Sequence, residues 1–156
     1  MTWEDAKTYQ SQLETFLAEN ATNATITGGV DDATIAEAEA ALGVRFPDSY
    51  RWYLHRFGYC SLYGVEILGI GRAGTARLVD ATERRRRAGM PGNFIVLENV
   101  DEFVHALDVP FDDPTDARVV RWYPVHGGGA VPLREVAPSF CAFVLECWIE
   151  AKAVWE

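Results

Sequence analysis

Two glycine-terminated runs set the strongest constraint on this chain: "TIAEAEAALG" (34–43) and "FPDSYRWYLHRFG" (46–58), with a Phe-Pro corner between them. Ile35, Ala38 and Leu42 recur at helical spacing in the first run, and Tyr50, Tyr53, Leu54 and Phe57 in the second. Asp31 or Asp32 can cap the first helix, or Thr34 and Glu37 can form a T-x-x-E capping box. Gly43 suits the position just past a helix end, where a residue without Cβ takes positive φ most cheaply. Pro47 suits the first position of a second helix, and Asp48 the positive end of its dipole. Two short amphipathic helices meeting at a corner are therefore expected, each with an apolar face that other elements must cover.

Those other elements can be read along the chain. Residues 2–19, within an N-terminal segment 1–24, predict a helix with Trp3, Ala6, Tyr9, Leu13, Phe16 and Leu17 near one face; "NATNATITGGV" then breaks it. "VEILGI" (65–70) reads as a strand, and 75–88 as a helix carrying "ERRRR" before Gly89. "NFIVLE" (93–98) and "FVHALDV" (103–109) read as a hairpin across "NVDE", and "ARVVRWYPV" as a further strand after the acidic turn "DDPTD" (112–116). A last helix begins near Ser139, with Phe140, Phe143, Val144, Cys147 and Trp148 at helical spacing. Helices at both ends with strands between them imply α+β rather than regular βα alternation.

With 156 residues, 49% of them hydrophobic and 24% charged, the chain suits one folded domain, 1–156, rather than a disordered segment. "MTWEDAKTYQ" has no basic stretch followed by an apolar one, and no run reaches the roughly 18 apolar residues of a membrane span, so a soluble cytoplasmic protein without a membrane partner is expected. Cys60, Cys141 and Cys147 are odd in number and lack C-x-x-C, which argues for reduced, mostly buried thiols. The N-x-T triplets at Asn20 and Asn23 would matter only after secretion. Residues 1–50 carry 2 Lys/Arg against 9 Asp/Glu, residues 51–100 carry 8 against 4, and residues 101–156 carry 4 against 10, for a net charge of −9. This balance opposes nucleic-acid binding and favours a basic partner.

Several motifs invite chemistry. "GIGRAG" places Gly69, Gly71 and Gly74 between a strand and a helix, with Glu98 at the end of the next strand, as a dinucleotide site would. The hairpin that follows is unlike the parallel units such a site requires, which makes a glycine-rich turn the stronger reading. "HGGG" (126–129) resembles an oxyanion stretch, but no G-x-S-x-G accompanies it and Ser11, Ser49, Ser61 and Ser139 lack the elbow context. His55, His105 and His126 show no metal-ligand spacing, so only spatial convergence could make a metal site or a His–Cys pair. "RRRR" (84–87) points around most of a helix and reads as a solvated face. Trp52 lies beside the apolar stripe, as an interface anchor or as packing under the N-terminal helix.

Ile35, Glu39, Leu42-Gly43, Phe46-Pro47, Tyr50, Leu54, Phe57 and Gly58 together resemble the opening motif of the SUKH superfamily, the group that includes the Smi/Knr-type regulators. "EILGIG", "NFIVLEN…FVHALDV" and "APSFCAFV" extend the likeness over about residues 30–147. Tyr59 stands where a second glycine is often found, and "ERRRR" and "DDPTD" are particular to this chain. The resemblance implies a central, mainly antiparallel sheet with helices packed around it, and no catalytic, cofactor or metal residues. It also implies a non-enzymatic bacterial immunity protein, an antitoxin that neutralises a cognate polymorphic toxin, often a nuclease. The alternative is a Smi/Knr-like regulatory or scaffold module, and behind it a nucleotide-binding enzyme using Gly69, Gly71 and Gly74.

Candidate partner-binding residues follow from residue type: the aromatic loop Tyr59 and Tyr63, and the acid turn Asp112, Asp113 and Asp116, facing a basic toxin domain.

Overall fold

The computed structural model describes residues 3–72, 74–100, 102–112, 115–124 and 134–156. Five helices, α1 (Trp3–Glu19), α2 (Asp32–Leu42), α3 (Asp48–Arg56), α4 (Ala76–Arg87) and α5 (Phe140–Trp155), accompany two antiparallel sheets, an α+β fold. The first sheet orders β1 (Ala24–Ile26), β2 (Cys60–Leu62) and β3 (Val65–Ile67). The second orders β4 (Phe94–Val100), β5 (Phe103–Asp108), β6 (Arg118–Trp122) and β7 (Arg134–Ala137). The expected antiparallel sheet is thus present in two parts, joined where the Leu68 amide donates to the Leu97 carbonyl at 2.7 Å.

The corner at 43–47 shows why its residue types are needed. Asp31 caps α2 by accepting from the Thr34 amide at 2.9 Å, and the Thr34 hydroxyl and amide hold its carboxyl below the usual carboxylate range. Gly43 closes the helix in the left-handed conformation, its amide donating to the Glu39 carbonyl at 2.8 Å. The Glu39 side chain then reaches past the corner, where Oε2 accepts from the Phe46 amide at 2.7 Å and Oε1 lies 3.5 Å from Arg51. One carboxylate therefore joins the end of α2 to the start of α3, which begins at Asp48 with Pro47 as the flanking residue. Glu39→Ala should cost about 2 kcal/mol, the worth of a charge-assisted hydrogen bond to a part-buried amide, in urea unfolding. Glu39→Gln, which keeps an acceptor, should cost less than half as much.

The apolar faces meet in an aromatic cluster. Tyr50, Tyr53 and Leu54 are fully buried and Phe57 nearly so. Phe140 sits edge-on to Tyr50 at 5.2 Å and to Tyr53 at 5.4 Å, and Trp148 lies between Phe16 and Phe57. Both tyrosines of α3 also carry polar ends into the sheet: Tyr50 donates to the Leu68 carbonyl and Tyr53 to the Ile67 carbonyl, each at 2.9 Å. Tyr53 oxygen further accepts from the Cys60 amide at 3.0 Å, so one hydroxyl ties α3 to two strands. Helix α5, capped by Ser139, lies against β3, β6 and β7, with α1 packed on it, while α4 bridges α2 and β4.

Three strands were not foreseen. β1 lies within "NATNATITGGV", β2 follows Gly58-Tyr59, and β7 is "REVA"; with three or four residues each, they carry too little alternation to signal themselves. β4 also runs further than expected, to Val100, and contains a bulge between Val96 and Glu98. The Val96 amide at this bulge is taken up by the Thr82 hydroxyl of α4 at 3.2 Å, which explains a fully buried threonine on that helix.

Candidate functional site

The glycine motif is structural. A Cβ on Gly69 would stand 2.1 Å from the Gly58 carbonyl oxygen, so two backbone segments touch where a nucleotide would have to enter. The Ile70 amide donates to that same carbonyl at 2.9 Å, and the Gly74 amide donates to the Gly71 carbonyl, closing a tight turn before α4. Glu98 is engaged elsewhere: its Oε1 lies 2.7 Å from His105 Nδ1. Across the β4–β5–β6 register, Arg121 Nε donates to His105 Nε2 at 3.3 Å and its guanidinium covers the Phe103 ring. Glu98, His105 and Arg121 thus form a row of side chains across three strands.

The other described histidine and the cysteines are likewise engaged, buried or part-buried. His55 bridges the Val30 carbonyl at 3.0 Å and Asp32 at 2.8 Å. Burial pushes the thiols of Cys60 and Cys141 up to about 12, and raises Cys147 as well, so none is poised as a thiolate. Among the described residues no group of three or more His, Cys, Asp or Glu could hold a metal ion. Ser49 and Ser139 serve as a hydrogen-bond donor to Asp116 and as a helix cap. "HGGG" and His126 lie outside the described residues.

Other singled-out residues have local roles. The Asn20 side chain is buried, donating to the Phe16 carbonyl at 2.8 Å and accepting from Tyr63 at 2.6 Å. Trp52 is half-buried, edge-on to Phe57 at 5.5 Å. The arginine run is not uniformly solvated. Arg86 is turned inward, donating to the Leu42 carbonyl at the end of α2 and to the Gly92 carbonyl, each at 2.7 Å, while Arg84 and Arg87 are exposed.

The five residues expected to meet a partner separate into different settings. Tyr59 is half-buried, with Arg77 over its ring at 5.6 Å and paired to Glu66; burial raises its phenol, and the Arg77 hydrogen bond opposes this. Tyr63 sits at positive φ in the β2–β3 turn, its hydroxyl on Asn20 and its ring 5.9 Å from Trp155. Asp112 is exposed, and Asp113 lies outside the described residues. Asp116 stands in a different setting from Asp112. It is buried, and its Oδ1 accepts from the Ser49 hydroxyl at 2.7 Å, the Ala117 amide at 2.8 Å and the Phe140 amide at 3.2 Å.

Asp112 instead lies beside a residue that sequence reasoning passed over. Phe111 is 99% exposed, between the end of β5 and the acid turn. Its signal was present as an aromatic following Pro110 after the strand pattern had ended, where alternation no longer directs a side chain inward. Pro110, Phe111 and Asp112 border a cleft of about 660 Å³ whose far wall includes Asn93, Asp108 and Arg118. A second exposed apolar group, Ile149, Val154 and Trp155, lies on α5.

Hydroxyl, carboxylate and glycine positions across the described core serve to hold helices on strands. The described core is an α+β domain organised around the helix corner at 43–47. The chain matches the SUKH_5 family model, SMI1-KNR4 cell-wall, over residues 8–149, and it belongs to that family. The SUKH family includes immunity proteins, and its domains are generally of non-catalytic immunity or regulatory type. No described helix is long and apolar enough to cross a membrane.

Proposed function

We propose that this chain is a non-enzymatic immunity protein that acts in the cytoplasm by binding and neutralising the basic domain of a cognate bacterial toxin, for which a nuclease is the best-fitting class. The observation that carries this reading beyond the family is the charge: −9 overall, with the acids concentrated in residues 1–50 and 101–156. A nuclease holds a phosphate backbone through Lys and Arg, so its active surface is basic, and an acidic inhibitor gains association rate by steering toward it. The same acidity opposes binding of nucleic acid by this chain itself.

The experiment is co-expression with the C-terminal domain of a large secreted protein encoded in the adjacent reading frame. Growth should be restored when the chain is present and abolished without it, and the purified pair should associate about 10–100-fold more slowly at high than at low salt. Toxicity unchanged by the chain, with no complex formed, would overturn the proposal.

A further inference from the structure

We propose that Phe111 and Asp112, just after β5, are the docking element for that partner, with Phe111 entering an apolar pocket on it and Asp112 meeting a lysine or arginine at the pocket's rim. This rests on the reading of the chain as a toxin-binding protein and adds the place and chemistry of contact.

The first support is the contrast between Phe111 and the aromatic core. Phe111 is 99% exposed, more than any other large apolar residue described, whereas Tyr50, Tyr53 and Phe140 are buried together. A phenylalanine wholly in water contributes nothing to folding through burial, but its full apolar surface remains available for binding.

The second support is the frame beneath it. On the β5 side, the Val109 amide donates to the Asn93 carbonyl at 3.1 Å, while Asn93 Nδ2 donates to Asp108 at 2.7 Å and to the Val109 carbonyl at 3.1 Å. On the β6 side, Asp116 is held by Ser49 and by the amides of Ala117 and Phe140, and the Ser49 amide donates to the Thr115 carbonyl at 3.1 Å. Val109 on one side and Thr115 and Asp116 on the other are therefore fixed to the body of the domain, so the backbone leading into Phe111 is held before binding and less conformational freedom is lost.

The third support is charge. Asp112 is exposed beside the ring, and Asp108 and Arg118 are already paired at 2.9 Å across the cleft wall. The acid at the lip is thus available to an incoming cation in a chain of net charge −9. The occupant these features fit is a basic protein surface with an apolar pocket, rather than an acidic partner or a second copy of this acidic chain.

The test uses the full chain and the adjacent-frame toxin domain carrying an inactivating substitution, measured by surface plasmon resonance. Phe111→Ala should weaken binding roughly 30–100-fold, mainly through faster dissociation, while the melting temperature stays unchanged. Asp112→Asn should weaken it about fivefold, mainly through slower association at low salt. Trp155→Ala, in the exposed group on α5, should leave affinity unaltered. If wild type binds and Phe111→Ala binds equally well, or if Trp155→Ala carries the loss instead, the docking assignment is overturned while the toxin-binding reading stands. Failure of wild type to bind overturns both. A concentration-dependent dimer abolished by Phe111→Ala in sedimentation would show that the ring serves self-association, and would also overturn the assignment.

Discussion

A chain carrying Gly58→Ala is expected to lose about 4 kcal/mol or more of folding stability, in the rare upper range for single substitutions, whereas Gly43→Ala should lose about 1 kcal/mol. Both glycines end a helical run with nearly the same backbone, φ +72° at Gly58 and φ +69° at Gly43. The left-handed conformation alone would penalise an alanine about equally at the two sites, by roughly 1–2 kcal/mol. Their surroundings differ completely. A Cβ on Gly43 would meet open space, while one on Gly58 would stand 2.2 Å from the Gly28 carbonyl oxygen and 2.8 Å from that of Ile70. Neither neighbour is a side chain that can swing away. Relief would require the backbone of the segment before α2, or of the β3 exit, to retreat, and with it the Gly28 amide bond to the Phe57 carbonyl and the Ile70 amide bond to Gly58. Urea unfolding of the two variants beside wild type checks this directly. Equal losses at the two positions would mean that conformation, not contact, sets the glycine at 58.

Asp116→Ala is expected to lose about 3 kcal/mol, about 1 for each of the three donors left without an acceptor, and to lower Tm by about 6–12 °C. The carboxylate ties the start of α3, through Ser49, to the start of α5, through Phe140, at the base of the β5–β6 turn. Asp116→Asn retains an oxygen for those donors but places an amide where Oδ2 is buried with no partner, so it should lose about 1–2 kcal/mol at neutral pH. The two can be separated further by pH. Burial raises the Asp116 carboxyl above its ordinary 3.8, against the lowering effect of Ser49, Ala117 and Phe140. The folded state therefore holds this proton more tightly than the unfolded state does. Between the raised value and 3.8, stability of the wild type relative to Asp116→Asn should increase as pH falls, then level off once both states are protonated. Taking the difference between the two proteins at each pH removes the other carboxylates from the comparison. A difference that shrinks toward acid pH would contradict the raised carboxyl.

These two predictions mark where sequence reasoning reached and where it stopped. Glycine at 43 and at 58 could be read alike as helix terminators, since both follow an apolar stripe. That Gly58 also meets two backbone oxygens follows from the segment before α2 and the exit of β3 both passing against it, contacts no local pattern contains. Asp116 reads with Asp112 and Asp113 as part of one acidic turn, "DDPTD". Its burial arises from Ser49, far earlier in the chain, and Phe140, well after it. Phe111 is apolar and follows Pro110 where the strand pattern ends, a weak signal whose outcome, full exposure, is visible only in the structure. Glu39 was legible as a family mark at the right spacing, but its purpose, an acceptor for the Phe46 amide across the corner, became visible only with the two helices in place.

Residue order alone settled the α+β class, the helix–corner–helix with its Gly43 end, the inward stripe of α3, the β4–β5 hairpin and the family of the domain, while the choice of Asp31 among the possible caps came with the structure. Those signals act between residues a few positions apart, through caps, periodicity and turn chemistry, so each is complete within a short stretch. The division into two sheets, the three shortest strands, the backbone contact at Gly58 and Gly69, the burial of Asp116 and the exposure of Phe111 were decided by assembly. Each depends on groups brought together from distant parts of the chain, where packing space and unsatisfied hydrogen bonds, rather than intrinsic preference, choose the outcome.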